Sequence, residues 1–234
     1  MNLKEARVLV TGGSSGIGRG IAELLVKRGA KVAISGRDDK RLREAASAIG
    51  AVPLKGDVSI EADAVWMVRQ AIDVLGGYNV LVNNAGIGAF APLLEITVDD
   101  MRQVWEVNVL GATLMARESA RHFVARKYGS IINIGSTSAL RAGAGSSAYA
   151  STKFALRALS ESWRAELRPH NVRVMLLNPS EVVTEFFSRA GRNQADNPSK
   201  LHPGEIAHAA AAMLEMEDVG FIPELSVWAT NPKE

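Results

Sequence analysis

Tyr149 and Lys153 stand four residues apart, a spacing that on a helix brings both side chains to one face. A phenol near pKa 10 is a poor base at neutral pH, but a neighbouring ammonium, or a cationic ligand, favours its phenolate. Unit charges about 4 Å apart interact by about 4 kcal/mol at an effective dielectric of about 20. At about 1.36 kcal/mol per pH unit, that lowers a phenol by up to about three before desolvation offsets it. The pair reads as a general acid–base unit poised near working pH. The plainer reading is a partly buried tyrosine packed beside a surface lysine.

The second constellation is rich in glycine. Val8-Leu9-Val10 runs into Thr11-Gly12-Gly13-Ser14-Ser15-Gly16-Ile17-Gly18, ahead of a helical stretch. Glycine lets the backbone turn sharply and approach a ligand. The following helix offers unpaired N–H groups and a positive dipole end to a diphosphate. The spacing is G-x-x-x-G-x-G, not G-x-G-x-x-G, and a tight turn without a ligand is the simpler account. The same residues match G-x-S-x-G, the nucleophile elbow of α/β-hydrolases, with Ser14 as nucleophile. Of the histidines, His122 falls within a helical stretch and His170 in a turn, which leaves His202 and His208 as bases. Gly18 has no purpose in that reading.

Short β-branched runs alternate with longer helical segments and must position these residues. Strands are expected over 7–11, 31–35, 52–55, 79–83, 130–134, 172–177 and 221–228. Helices are expected over 16–28, 40–48, 61–75, 98–127, 147–167 and 204–216. In the fifth of these, Ala155, Leu159, Trp163 and Leu167 recur four apart along one face. Strand and helix in regular order predict a parallel sheet with helices on both faces, its crossovers right-handed. The stretch 188–203 lacks periodicity, and irregular loops of that length are usually functional or disordered. Too few residues follow it for a separate domain, so 1–234 reads as one unit.

With 234 residues and 47% hydrophobic content, the chain can bury a core without metal or disulfide staples. Its lack of cysteine excludes a disulfide framework and thiolate metal sites. The 27 basic and 25 acidic residues leave a net charge of +2, too small a surplus to suit a phosphate-backbone binder. Glu5 interrupts the amino-terminal stretch, so no secretory signal is expected there, and no apolar run is long enough to span a bilayer. A soluble, cytoplasmic protein is expected.

Thr11-Gly12-x-x-x-Gly16-Ile17-Gly18, Asn83-Asn84-Ala85-Gly86 and Tyr149-Ala150-Ser151-Thr152-Lys153 together resemble the classical short-chain dehydrogenase/reductase family along nearly the whole chain. The resemblance implies a three-layer αβα, doubly wound, Rossmann-type domain with a seven-stranded parallel sheet. It also implies hydride transfer between a nicotinamide dinucleotide and a small carbonyl or secondary alcohol. In it Tyr149 is the acid/base, and Lys153 lowers its pKa and binds the nicotinamide ribose. Ser136 polarises the substrate carbonyl, and Asn108 holds a water in a proton relay. Cofactor contacts are implied for Gly12, Ser14, Ser15, Gly16, Ile17 and Gly18. Asp57 and Val58 would meet adenine. Asn84, Ala85 and Gly86 would lie beneath the adenosine ribose and nicotinamide, and Val182 and Thr184 would bind the carboxamide.

NAD-preferring members place an acidic residue at the end of the second strand to bind the ribose 2′-OH. Here Gly36 and then Arg37 stand there, and an arginine fork suits a 2′-phosphate. NADP(H) is therefore expected over NAD(H), although Ser15 lacks the basic character common among NADP-dependent members. Pro179-Ser180 replaces the usual Pro-Gly. Substrate choice would rest on segments 90–94, 139–147 and 185–203, where Phe90, Leu93, Leu140, Phe186 and Phe187 suggest an apolar wall. The resemblance also implies a homo-oligomer, dimer or tetramer, joined through the helices after the fourth and fifth strands. A non-catalytic dinucleotide sensor on the same fold, and the Ser14 hydrolase, are the alternatives.

Overall fold

The computed structural model describes residues 1–191 and 199–230. Its sheet has seven parallel strands in the order β3-β2-β1-β4-β5-β6-β7. They are β1 Arg7–Thr11, β2 Lys31–Gly36, β3 Val52–Lys55, β4 Val80–Asn83, β5 Gly129–Ile134, β6 Val172–Pro179 and β7 Glu224–Val227. The helices are α1 Gly16–Lys27, α2 Asp39–Ile49, α3 Glu61–Leu75, α4 Val98–Trp105, α5 Ala112–Arg126, α6 Ser147–Leu167, α7 Phe186–Arg189 and α8 Pro203–Glu215. Among the described residues no helix is long and apolar enough to cross a membrane.

The central strands are apolar on both sides because helices cover both faces of the sheet. Val8, Val10, Val80, Val82, Ile132 and Met175 pack towards α1 and α8, including Ile21, Leu25, Ile206 and Met213. The alternate residues Leu9, Leu81, Ile131 and Val174 pack towards α3 and α5, including Met67, Leu75, Met115 and Phe123. Helix α1 approaches the start of α8 so closely that a Cβ at Gly20 would lie 2.8 Å from Pro203 Cβ.

Three elements depart from expectation. The segment 98–127 is not one regular helix, because a π-helical turn, Glu106–Gly111, separates α4 from α5. This turn presents Asn108 to Ile87 and Thr152 and brings Gly111 against Val58, where a Cβ would meet Val58 Cγ2 at 2.7 Å. Strand β7 is shorter than 221–228 because only Glu224–Val227 finds a partner, in β6. A single helical turn, α7, begins just ahead of the expected irregular stretch 188–203, of which residues 192–198 lie outside the described residues.

Candidate active site

The strand order reverses between β1 and β4, and in open α/β sheets ligands bind in the crevice at the carboxyl ends of strands flanking such a point. Here β1 passes into the glycine loop. Gly12 takes a φ of 64° and Gly16 one of 54°, values that favour glycine. Neighbouring glycines are needed for room, since a Cβ at Gly13 would lie 2.6 Å from Ile34 and one at Gly18 2.4 Å from Asn84 Nδ2. Asn84 pins the loop, donating from Nδ2 to Thr11 O at 2.9 Å. The Thr11 hydroxyl accepts from Asn84 N and Ala85 N, each at 3.0 Å.

Helix α1 starts behind Ser15, whose side chain caps none of the first-turn amides. Those amides at Gly16, Ile17 and Gly18 are thus available to an anion. Beside them is an open cleft of about 570 Å³, lined by Ser14, Ser15, Gly16, Arg19, Arg41 and Thr184. A glycine-walled cradle and an uncapped helix start fit the diphosphate of a dinucleotide.

At the β2 end, Gly36 leaves room beside Ser14, whose Oγ would be 3.5 Å from a Cβ at 36. Arg37 is 65% exposed and its guanidinium lies 3.6 Å from Asp57 Oδ2. Burial pushes the Asp57 carboxyl up, but hydrogen bonds from the Ser59 hydroxyl and N–H, with Arg37, hold it below its ordinary value. Val58 is buried against Gly111. Arg41 of α2 is ion-paired with Glu185, just ahead of α7.

Across the crevice, α6 carries Tyr149 and Lys153. The Lys153 ammonium donates to Ile134 O at 2.8 Å and lies 5.6 Å from the centre of the Tyr149 ring. Burial pulls Lys153 down to about 8. Burial likewise pushes the Tyr149 phenol up to about 12, against a hydrogen bond from Ser136 that favours the phenolate. In the chain alone, desolvation therefore outweighs the charge attraction expected from the spacing. Ser136 Oγ also accepts from Ser138 N at 3.0 Å, which leaves its single proton for Tyr149 or a bound carbonyl.

Asn108 is buried and both ends of its amide are spent on the fold. Its Oδ1 accepts from Ile87 N at 2.9 Å, and Nδ2 donates to Ile87 O at 2.9 Å and to Thr152 Oγ1 at 3.1 Å. Gly86 sits beneath it, where a Cβ would meet Asn108 Oδ1 at 3.2 Å. Thr11 and Thr152 stand in the two motifs, but their spacing assigns neither of them a role. The signal available for each is its place in the chain: Thr11 ends β1, and Thr152 adjoins Lys153.

The outer side of Tyr149 is aromatic. Phe90 and Phe186 each lie 5.4 Å from its ring, and Phe187 is 5.8 Å from Phe90. Leu93 and Leu140 are exposed instead. Val182 is buried and bridges to Leu201, and Thr184 Oγ1 accepts from Phe186 N at 3.3 Å. Ser180, in place of the usual glycine, has no left-handed backbone and donates its N–H to Val227 O at 2.9 Å, so the loop makes no demand for glycine there. The hydrolase reading gains no support: His202 stands just ahead of α8 with its N–H on Glu205, His208 lies against Arg28, and among the described residues no bond joins either to Ser14.

The family model described as short chain dehydrogenase matches residues 6–195. An uncharacterized oxidoreductase, YxnA, of Bacillus subtilis (strain 168) is 32% identical over 220 residues, covering 89% of this chain and 62% of that protein's length. Among solved structures, a 3-ketoacyl-(acyl-carrier-protein) reductase from Brucella melitensis complexed with NADH is 30% identical. It has a TM-score of 0.87, with 96% of this chain and 97% of that chain covered. The closed form of a serine dehydrogenase complexed with NADP+ is 29% identical with a TM-score of 0.86, covering 94% and 93% of the two chains.

Proposed function

This chain belongs to the short-chain dehydrogenase family, and from that premise we propose that it is an oxidoreductase acting on a small carbonyl or secondary alcohol. The observation that carries the reading is the meeting of Ser136, Tyr149 and Lys153 across the crevice from an uncapped, glycine-walled helix start. A nicotinamide dinucleotide, when bound, supplies or accepts the hydride. Gly12 to Gly18 hold its diphosphate, Asp57 and Val58 border the adenine, and Asn84, Ala85 and Gly86 form the floor. Val182 and Thr184 hold the carboxamide, the latter through its hydroxyl. Lys153 donates to the nicotinamide ribose. Ser136 donates a hydrogen bond to the substrate oxygen and keeps its proton, while Tyr149 gives or takes the one proton at that oxygen. Asn108, held by Ile87 and Thr152, anchors the water of a proton relay towards Lys153.

The unit 1–234 is proposed as one dinucleotide-binding domain whose substrate specificity rests on the segments 90–94, 139–147 and 185–203. The aromatic cover on Tyr149 favours an uncharged, apolar substrate. The NADH and NADP+ complexes among the similar structures leave the choice of cofactor to this chain's own residues. Gly36 offers no carboxylate at the end of β2, and Arg37 with Arg41 supplies two guanidiniums nearby. We therefore favour NADP(H), in a cytoplasmic homo-oligomer.

The test compares kcat/KM for NADPH and NADH in the wild type and in Arg37→Ala. NADPH should be preferred in the wild type, and the variant should lose about tenfold or more of that preference, as expected for a lost charge-assisted hydrogen bond. A wild type that prefers NADH would sink the cofactor assignment.

A further inference from the structure

A polar amide buried at a strand end is costly unless it is bonded, and Asn178 of β6, fully buried, is bonded on both sides. Its Oδ1 accepts from the Ser136 N–H at 3.2 Å. Its Nδ2 donates to Glu224 Oε1 at 2.8 Å, and Glu224 Oε2 accepts from Arg157 Nε at 3.2 Å. Arg157 lies one helical turn beyond Lys153 on α6, the helix that also carries Tyr149. The same amide fills the space beside Gly135, where a Cβ would come within 2.1 Å of Asn178 Oδ1. The backbone leading into Ser136 is therefore pressed onto Asn178, and Asn178 is tied through β7 to α6.

We propose that Asn178 is a positioning residue for Ser136, clamped by Glu224 and Arg157 so that the Ser136 turn and the Tyr149–Lys153 helix keep one relative placement. The inference rests on the proposed reading of Tyr149 as the acid/base and Ser136 as its hydrogen-bonding partner at the substrate oxygen. Ser136 Oγ already accepts from Ser138 N, so the direction of its one proton follows the backbone at 136. Asn178 fixes that backbone from the sheet side. In catalytic sites a misplacement of about 1 Å can cost as much as about 100-fold in rate.

Asn178→Ala should lower kcat about tenfold and leave the cofactor Kd within about twofold. It should also move the alkaline rise of alcohol oxidation to higher pH, because the Ser136 hydrogen bond favours the phenolate. In a Ser136→Ala background the same substitution should change kcat by less than about twofold, as for residues acting as one unit. An equal loss in both backgrounds overturns the proposal. Should Asn178→Ala not fold, Glu224→Ala on the half-buried edge strand serves instead. It should lose about threefold, and Glu224→Gln, which keeps an acceptor oxygen, should restore most of it; no loss in Glu224→Ala counts against the clamp.

A readout independent of turnover is the carbon-13 resonance of the Tyr149 ring carbon bearing the hydroxyl. Ser136→Ala and Asn178→Ala should move it in the same direction. Movement by Ser136→Ala alone overturns the clamp while sparing the proposed chemistry. A resonance that Ser136→Ala leaves unmoved removes the Ser136–Tyr149 pairing itself, and the clamp with it.

Discussion

Tyr149 and Lys153 are displaced in opposite directions by one cause, since burial disfavours whichever form is charged. The lysine falls to about 8 from 10.5, and the phenol rises to about 12 from 10.0. Their spacing is legible in the sequence; this balance is not. A four-residue interval gives no account of how much water is lost, nor that the ammonium is held at Ile134 O over the ring face. The consequence for stability has a definite sign. Between about pH 8 and 10 the unfolded lysine keeps a proton that the native one has lost, so Lys153 makes stability rise with pH. From about pH 10 to 12 Tyr149 acts the other way, the native phenol keeping a proton that the unfolded one sheds. Denaturation of the cofactor-free protein should therefore show wild type gaining on Lys153→Met from about pH 8 to 10. A difference that stays flat over that range contradicts the burial account.

Elements with a clear local pattern are legible: β1 and β3 fall on the short β-branched runs, and α3 and α6 on the segments of helical period. Those set by tertiary contacts were not. The π-helical turn Glu106–Gly111 is invisible as a pattern because it exists to bring Asn108 onto Ile87 and Gly111 onto Val58. The turn α7 escapes notice because four residues carry no period of their own, and its phenylalanines are placed by Phe90 and Tyr149. Helix surfaces carry a further consequence. Trp105 at the end of α4, Leu110 in the π-helical turn and Phe154 on α6 are 39%, 47% and 43% exposed on elements that pack together, and exposed apolar groups on adjoining elements suit an association surface. With the proposed homo-oligomer, Leu110→Glu should shift sedimentation from a dimer or tetramer towards monomer, since burying an unpaired charge there is costly. A wild type that sediments as a monomer contradicts that assembly.

On the scale of the molecule, alternating strands and helices made a parallel sheet legible, and the reversal of order between β1 and β4 follows the expected doubly wound arrangement. The crevice there gathers the glycine loop, Asn84 and the end of β4, with α6 facing them. What the sequence left open depends on partners distant in the chain. Arg37 is shared with Asp57, and Arg41 with Glu185, so their availability to a phosphate is a property of the fold. The sequence likewise marked Ser136 without showing that Asn178, 42 residues on, bonds to its backbone. Hydride transfer in this crevice, with Tyr149 as acid/base, is the role proposed for the molecule as a whole. Its most direct test is the NADPH absorbance of wild type and Tyr149→Phe over a panel of apolar ketones and aldehydes, with cofactor Kd measured alongside. The wild type should consume NADPH with at least one of them, and Tyr149→Phe should be slower by about 100-fold or more while binding the cofactor normally. A Tyr149→Phe protein that turns over at close to the wild-type rate would contradict it.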